Sequence, residues 1–319
     1  MIPVKDAHLQ VAARTHPGLQ GKNNEDRYAI SAYQVSSSDP RPSLLAVISD
    51  GIGGHRAGEI AAEIAVEEIS HAVATSDALH PVETLSAAII TASEKIHEQA
   101  QLNRDQDGMG ATCVCAWVIG DRLYSASVGD SRLYRIHEAA IQQLTVDHTW
   151  IQEALDQGYL TPEQAADHPN QHVIRRYLGS PKTVVPDTRL QVQAQDDEQQ
   201  ARANQGFQLQ NGDILVLCTD GLSDLVEDRE ILQAFQQHSL DDALSNLVKL
   251  ANLRGGHDNI TVVAAQIPDH KLRRKGIKFG RRWLSLPLLI AGATLLCLLV
   301  FMLAVYLYQV SSRFLGFGR

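Results

Sequence analysis

The sequence predicts an α+β fold, antiparallel sheets covered by helices, followed by one C-terminal membrane-spanning helix. Three observations lead there. Strand-like segments cluster and helix-like segments come in pairs, unlike the regular alternation that builds a parallel sheet. Apolar residues make up 44% of the 319 and charged residues 20%, which suits a globular body with a sizeable core. Near the C-terminus, Leu284–Tyr308 is almost wholly apolar and carries no charge.

Taken in order, Arg27–Tyr33 and the apolar run Leu44–Ser49 read as strands, and Ala57–Ala74 and Val82–Asn103 as a pair of amphipathic helices. Strands follow at Ala111–Ile119, Leu123–Val128 and Arg132–Ile136; the last two are broken at Gly129-Asp130, a hairpin signal. A helix is expected over His148–Gln157. The polar stretch Gln191–Gln205 has the composition of a surface loop. Ile214–Cys218 is a strand, Arg229–Gln237 and Asp241–Arg254 form a second helix pair stopped by Gly255-Gly256, and Ile260–Ile267 closes the body as a strand. Four cysteines, Cys113, Cys115, Cys218 and Cys297, supply neither a disulfide scaffold nor zinc spacing. The N-terminus has no apolar run of signal-peptide length.

The net charge of −9 is unevenly divided. From Lys271 onward there are nine Lys/Arg and no Asp/Glu, which leaves −18 on residues 1–270. Such an acidic body argues against nucleic acid as a partner. The apolar segment would span about 37 Å as a helix, enough for a ~30 Å hydrocarbon core. Seven basic residues lie in Lys271–Arg282 and only Arg313 and Arg319 follow the span, so the positive-inside bias keeps the body cytoplasmic. The basic stretch itself suits anionic lipid headgroups. The expected organisation is a globular body over 1–268, a basic juxtamembrane linker over 269–283, a single transmembrane helix over 284–308 and a short extracytoplasmic tail over 309–319.

Within the body, acidic residues stand beside glycine at strand ends. Asp50 ends LLAVIS and precedes Gly51; Asp220 ends ILVLCT and precedes Gly221. Asp258 opens NITVVAAQI, Glu25 and Asp26 precede RYAISAY, and Asp130 lies in VGDSR. Singly, each is an ordinary turn residue. Gathered on one rim, they would repel unless cations neutralised them. Hard oxygen donors without His or Cys favour Mg²⁺ or Mn²⁺ over zinc. Two such ions a few ångströms apart suit hydrolysis at phosphorus. No G-x-S-x-G elbow offers a rival nucleophile. NRDQDG imitates half an EF-hand, but Val114 stands where its Glu is needed, and DGIGGH lacks the Gly-Lys-Ser/Thr of a phosphate loop.

The order of NNEDRY, ISDGIGGHRAGE, GMGATCVCAWV, YSASVGDSRLYRI, LTVDHTW, GDILVLCTDGLSDLV and GGHDNITVVAAQI resembles the PP2C (PPM) family of metal-dependent protein serine/threonine phosphatases, bacterial type. The resemblance implies an α/β/β/α sandwich with a binuclear Mn²⁺ or Mg²⁺ centre and possible room for a third ion. It implies attack on phosphoserine or phosphothreonine by a metal-bridging hydroxide. Asp50 would bridge both metals, the Gly51 carbonyl would bind one, and Asp220 and Asp258 would complete the other's shell. Glu25 and Asp26 match the pair that holds metal-bound waters, and Asp130 the aspartate that shares a third metal with Asp220. His55 is either the general acid to the leaving oxygen or a packing residue ahead of the following helix. Thr161–Gly179 matches the flap beside the active site. Implied partners are phosphoprotein substrates and a cognate serine/threonine kinase; the C-terminal segment, outside the resemblance, is what anchors the chain in the cell membrane by one span. One departure stands out: many relatives carry a phosphate-binding Arg where this chain has Gly21, and neither Lys22 nor Arg27 shares that register. The alternative of a different class is a pseudophosphatase, a membrane-anchored binding module that keeps the fold without turnover.

Overall fold

Short apolar strands buried on both faces build two stacked antiparallel sheets in the computed structural model, which describes residues 1–268 apart from residue 22, residues 54–56 and residues 166–167. The strands are β1 (Ile2–Pro3), β2 (Gln10–His16), β3 (Arg27–Gln34), β4 (Pro42–Ser49), β5 (Gly51–Ile52), β6 (Gly110–Ala111) and β7 (Cys113–Ile119). They continue as β8 (Arg122–Val128), β9 (Arg132–His137), β10 (Ala140–Gln143), β11 (Phe207–Gln208), β12 (Ile214–Cys218) and β13 (Ile260–Gln266). The helices are α1 (Gly58–Thr75), α2 (Pro81–Leu102), α3 (Trp150–Asp156), α4 (Pro162–Ala165), α5 (Glu198–Ala203), α6 (Asp220–Ser223), α7 (Asp228–Gln237) and α8 (Leu240–Leu253).

The first sheet runs β1-β3-β4-β7-β8-β11 and the second β10-β9-β12-β13-β2, while β5 and β6 form a small separate ribbon. β4 shows how the layers arise. Leu44, Ala46 and Ile48 face the interior, meeting Val114, Leu215, Leu217 and Val263 between the sheets. Leu45 and Val47 point the other way, with Cys113, Cys115 and Trp117, onto Ala61, Ile69 and Ile89 of the α1–α2 pair. Behind the second sheet, Val216, Cys218 and Val262 pack on Ile231, Leu244 and Leu247 of α7 and α8. The result is the expected four-layer α/β/β/α sandwich.

Three expectations are corrected. β8 and β9 do not form a hairpin: β8 pairs with β7 and β11, β9 with β10 and β12. The Gly129-Asp130 turn instead carries the chain from one sheet to the other. Leu123 and Leu133 both face the shared interior, so alternation looks the same for strands paired side by side and strands stacked across a sandwich. The polar stretch expected as a loop contains α5, which Asp197 caps by accepting from Gln200 N (2.8 Å) and Ala201 anchors by burial. The strand expected over Ala111–Ile119 is split at Thr112 into β6 and β7. The predicted linker, span and tail lie outside the described residues, as does His55; among the described residues no helix is long and apolar enough to cross a membrane.

Candidate metal centre

Antiparallel pairing sets the acidic residues at one rim. Asp26 immediately precedes β3 and Asp50 immediately follows β4, and these strands are partners in the first sheet. Asp220 lies just beyond β12 and Asp258 just before β13, partners in the second sheet. Asp130 joins them from the turn that crosses between sheets. The fields of these groups overlap. Asp26 senses Asp220 and Asp258, Asp50 senses Asp26, Asp220 and Asp130, and a side-chain hydrogen bond joins Asp50 to Asp220. Burial is the largest cause of each shift, reinforced by like charge. It pushes Asp26 up to about 7, Asp130 to about 8 and Asp220 to about 6, and raises Asp50 well above the usual carboxylate range.

Hydroxyls hold the acids in place. Thr219 Oγ1 donates to Asp26 Oδ2 (3.0 Å) and accepts from Thr261 N (3.0 Å), and the Thr261 side chain also bonds Asp26. Thr112, at the break between β6 and β7, donates its N–H to the Asp50 carbonyl (2.8 Å) and accepts the Asp50 N–H on Oγ1 (3.1 Å). Asn259 Oδ1 accepts the Glu25 N–H (2.7 Å). Glu25 and Gly51 meet the start of α1 through Gly58: a Cβ there would lie 2.6 Å from Glu25 Oε2 and 2.8 Å from the Gly51 carbonyl oxygen. Only hydrogen at this position lets the three approach.

The structure thus brings Asp26, Asp50, Asp130, Asp220 and Asp258 into mutual electrostatic range, with Glu25 and Gly51 packed beside them at the start of α1. Among the described residues no three such groups already close around one point as a finished metal shell. The donor set still fits hard divalent cations. All the donors are oxygens, all but the Gly51 carbonyl from carboxyl groups, and Oδ1 of both Asp26 and Asp220 is buried without a hydrogen-bond partner.

Sequence reasoning missed two further carboxylates here. Asp224 stands one helical turn after Asp220 and is the strongest like charge acting on it; the Asp-x-x-x-Asp spacing of DGLSD was the available signal. Asp147 binds Arg132 (Nη2 to Oδ2, 2.7 Å), and both line a cavity of about 360 Å³ beside Asp130 and Asp220. A second cavity, about 400 Å³, is lined by Asp220, Asp224, His257 and Asp258. His172, from the predicted flap, lines both and bonds Asp224 Oδ2 through Nδ1 (2.9 Å). Gly21 adopts φ +68° in open space, so an Arg side chain would fit there only on a strained backbone. The Arg27 guanidinium is committed to the carbonyls of Asn24 and Asp26, both at 2.9 Å, and so braces the acidic pair from behind.

A family model for protein phosphatase 2C matches residues 19–249. The serine/threonine protein phosphatase PstP of Mycobacterium tuberculosis is 34% identical over 262 residues, which cover 82% of this chain and 46% of PstP, so the chain spans about half that relative's length. The serine/threonine phosphatase stp of Listeria welshimeri is 31% identical over 268 residues, covering 82% of this chain and 96% of the relative. The solved catalytic domain of PstP, in complex with two manganese ions, superposes with a TM-score of 0.67 at 32% identity, covering 82% of this chain and 99% of that one. Fold, rim of carboxylates and sequence agree: the chain belongs to the protein phosphatase 2C family.

Proposed function

We propose that this chain is a metal-dependent phosphatase of phosphoserine and phosphothreonine in proteins, tethered to the cytoplasmic face of the cell membrane. The observation that carries the catalytic reading is the rim of aspartates gathered from both sheets, two of them with a buried oxygen that lacks a hydrogen-bond partner. Asp50, Asp220, Asp258 and the Gly51 carbonyl are the residues that would hold two Mn²⁺ or Mg²⁺ ions. Glu25 and Asp26 would hold the ions' waters, and Asp130 with Asp220 a third ion. Bound there, such ions neutralise the carboxylates, lower the pKa of water and draw phosphoryl oxygens. The chain supplies the rest: Thr219 and Thr261 fix Asp26, Thr112 fixes Asp50, and His55 stands in the sequence as proton donor to the leaving oxygen. The relatives' names and the manganese-bound catalytic domain of PstP support this reading.

The tether rests on the sequence of the basic stretch Lys271–Arg282 and the apolar segment Leu284–Tyr308. It makes a membrane-associated serine/threonine kinase, or that kinase's substrates, the natural partners. The catalytic test uses the full chain in detergent with a phosphothreonine peptide. Hydrolysis should vanish after EDTA treatment and return with Mn²⁺ or Mg²⁺. Undiminished turnover in protein shown to be metal-free would refute metal dependence. No turnover with either ion would leave the binding module as the better reading.

A further inference from the structure

The turn that carries Asp130 is gripped by a residue distant in sequence. Gly129 N–H donates to His148 Nδ1 (3.0 Å), and His148 N–H donates to the Gly129 carbonyl (2.9 Å). An amide nitrogen can only donate, so Nδ1 is the bare ring nitrogen and Nε2 carries the proton. Nε2 faces Asp187 Oδ2 at 3.2 Å and donates to it. Arg176 Nη1 also lies 3.2 Å from Nε2, a donor facing a donor, and finds its acceptor in the Val185 carbonyl at 3.1 Å.

Asp187 is itself immobilised. Its backbone exchanges two hydrogen bonds with Ser127 of β8, each 2.9 Å. Arg189 reaches its Oδ2 through Nε (2.8 Å) and Nη2 (2.5 Å). His148 is 5% exposed and Asp187 4%. Neither lines the cavities beside Asp220. The run Asp187–His148–Gly129 therefore ends on the residue before Asp130 without entering the space a substrate would use.

Such a grip is needed for two reasons. Gly129 sits at φ +103°, where glycine has little intrinsic stiffness, so close packing on Thr112 and the hydrogen bonds to His148 must together fix the direction of the next residue. Asp130 also faces Asp220, Asp147 and Asp224, whose like charges push its carboxylate away from the rim. We propose that His148 and Asp187 are positioning residues: Asp187 sets the tautomer and plane of His148, and His148 holds the Gly129 amide so that Asp130 presents its carboxylate to a divalent cation. This rests on the reading of Asp130 as a cation ligand.

The test compares two substitutions of one side chain. His148→Asn keeps an acceptor near Nδ1 for the Gly129 amide but loses the link to Asp187. His148→Gln keeps a donor near Nε2 for Asp187 but leaves the Gly129 amide unbonded. Mn²⁺ binding to the full chain in detergent is measured by calorimetric titration, with Asp130→Asn as reference, and amide exchange is followed at Gly129. Asp130→Asn should abolish one Mn²⁺ site. His148→Gln should weaken that same site about tenfold and speed exchange at Gly129, while His148→Asn should weaken it less and leave Gly129 protected. Equal losses in both variants would mark a general structural role and overturn the proposal, as would wild-type Mn²⁺ affinity in His148→Gln. If Asp130→Asn leaves every Mn²⁺ site intact, it is the reading of Asp130 as a ligand that fails, and exchange at Gly129 then reports on the grip alone.

Discussion

Asp220 concentrates the conflict at the rim: half-buried, bonded to Asp50, pressed by Asp224 and Asp258, and with one buried oxygen bonded to nothing. Asp220→Asn keeps the shape and removes one charge. Metal-dependent turnover of a phosphopeptide should fall by at least about 100-fold. Metal-free protein should melt no lower, and about 2–4 °C higher for each kcal/mol of repulsion relieved. Near-normal turnover would remove Asp220 from the ligand set. Asp187 makes the opposite case. Burial opposes its ionisation, but hydrogen bonds from His148 and Arg189 outweigh that and hold it below the 3.8 of an unfolded chain. Its stabilising contribution is therefore fully present above about pH 4 and is lost as pH falls through its folded value. Acid unfolding followed by circular dichroism should be steeper in wild type than in Asp187→Asn; parallel curves would show that the carboxylate adds nothing. At this scale the sequence showed aspartates beside glycine at strand ends. It could not show His148 or Asp187, because their part depends on which turn they face across the fold.

At the scale of elements, the start of α1 is where helix, ribbon and acidic pair converge. Gly58→Ala would drive a methyl group to 2.6 Å from Glu25 Oε2 and 2.8 Å from backbone atoms of Gly51, and the backbone cannot yield as a flexible side-chain tip can. A loss of about 1–3 kcal/mol is expected, read as a lower denaturation midpoint, together with weaker Mn²⁺ binding. An unchanged midpoint would show that α1 can shift without cost. Both helix pairs and the seven expected strands, one of them split at Thr112, were legible because each carries its own apolar run or period. β2 was not: QVAARTH forms an edge strand beside β13, exposed along much of its length, so its side chains carry little core signal. The crossing at Gly129-Asp130 was misread for a different reason. Turn chemistry reports a reversal of the chain, and whether the next strand lies beside the last or across from it depends on the stacking of whole sheets.

At the scale of the whole molecule, the proposed tether can be checked directly. Full-length chain should stay in the membrane pellet through a high-salt wash, since burial in hydrocarbon is not screened as headgroup contacts are. Release by salt would refute a spanning segment. The pairing of β2 with β13 has a consequence of another kind. His16 lies opposite Ile260, and the Glu25 N–H donates to Asn259 Oδ1, 234 residues further on, so the first and last strands of the second sheet meet beside the rim. Contacts of such wide sequence separation form late and slowly. During synthesis, the ribosome must release nearly the whole body before the second sheet gains its edge strand or the rim its last aspartate. A nascent chain stalled short of Asp258 would already display β3 and β4 with their acids, yet could not complete the ligand set. The proposed phosphatase activity would therefore be withheld from every chain that stops short of Asp258.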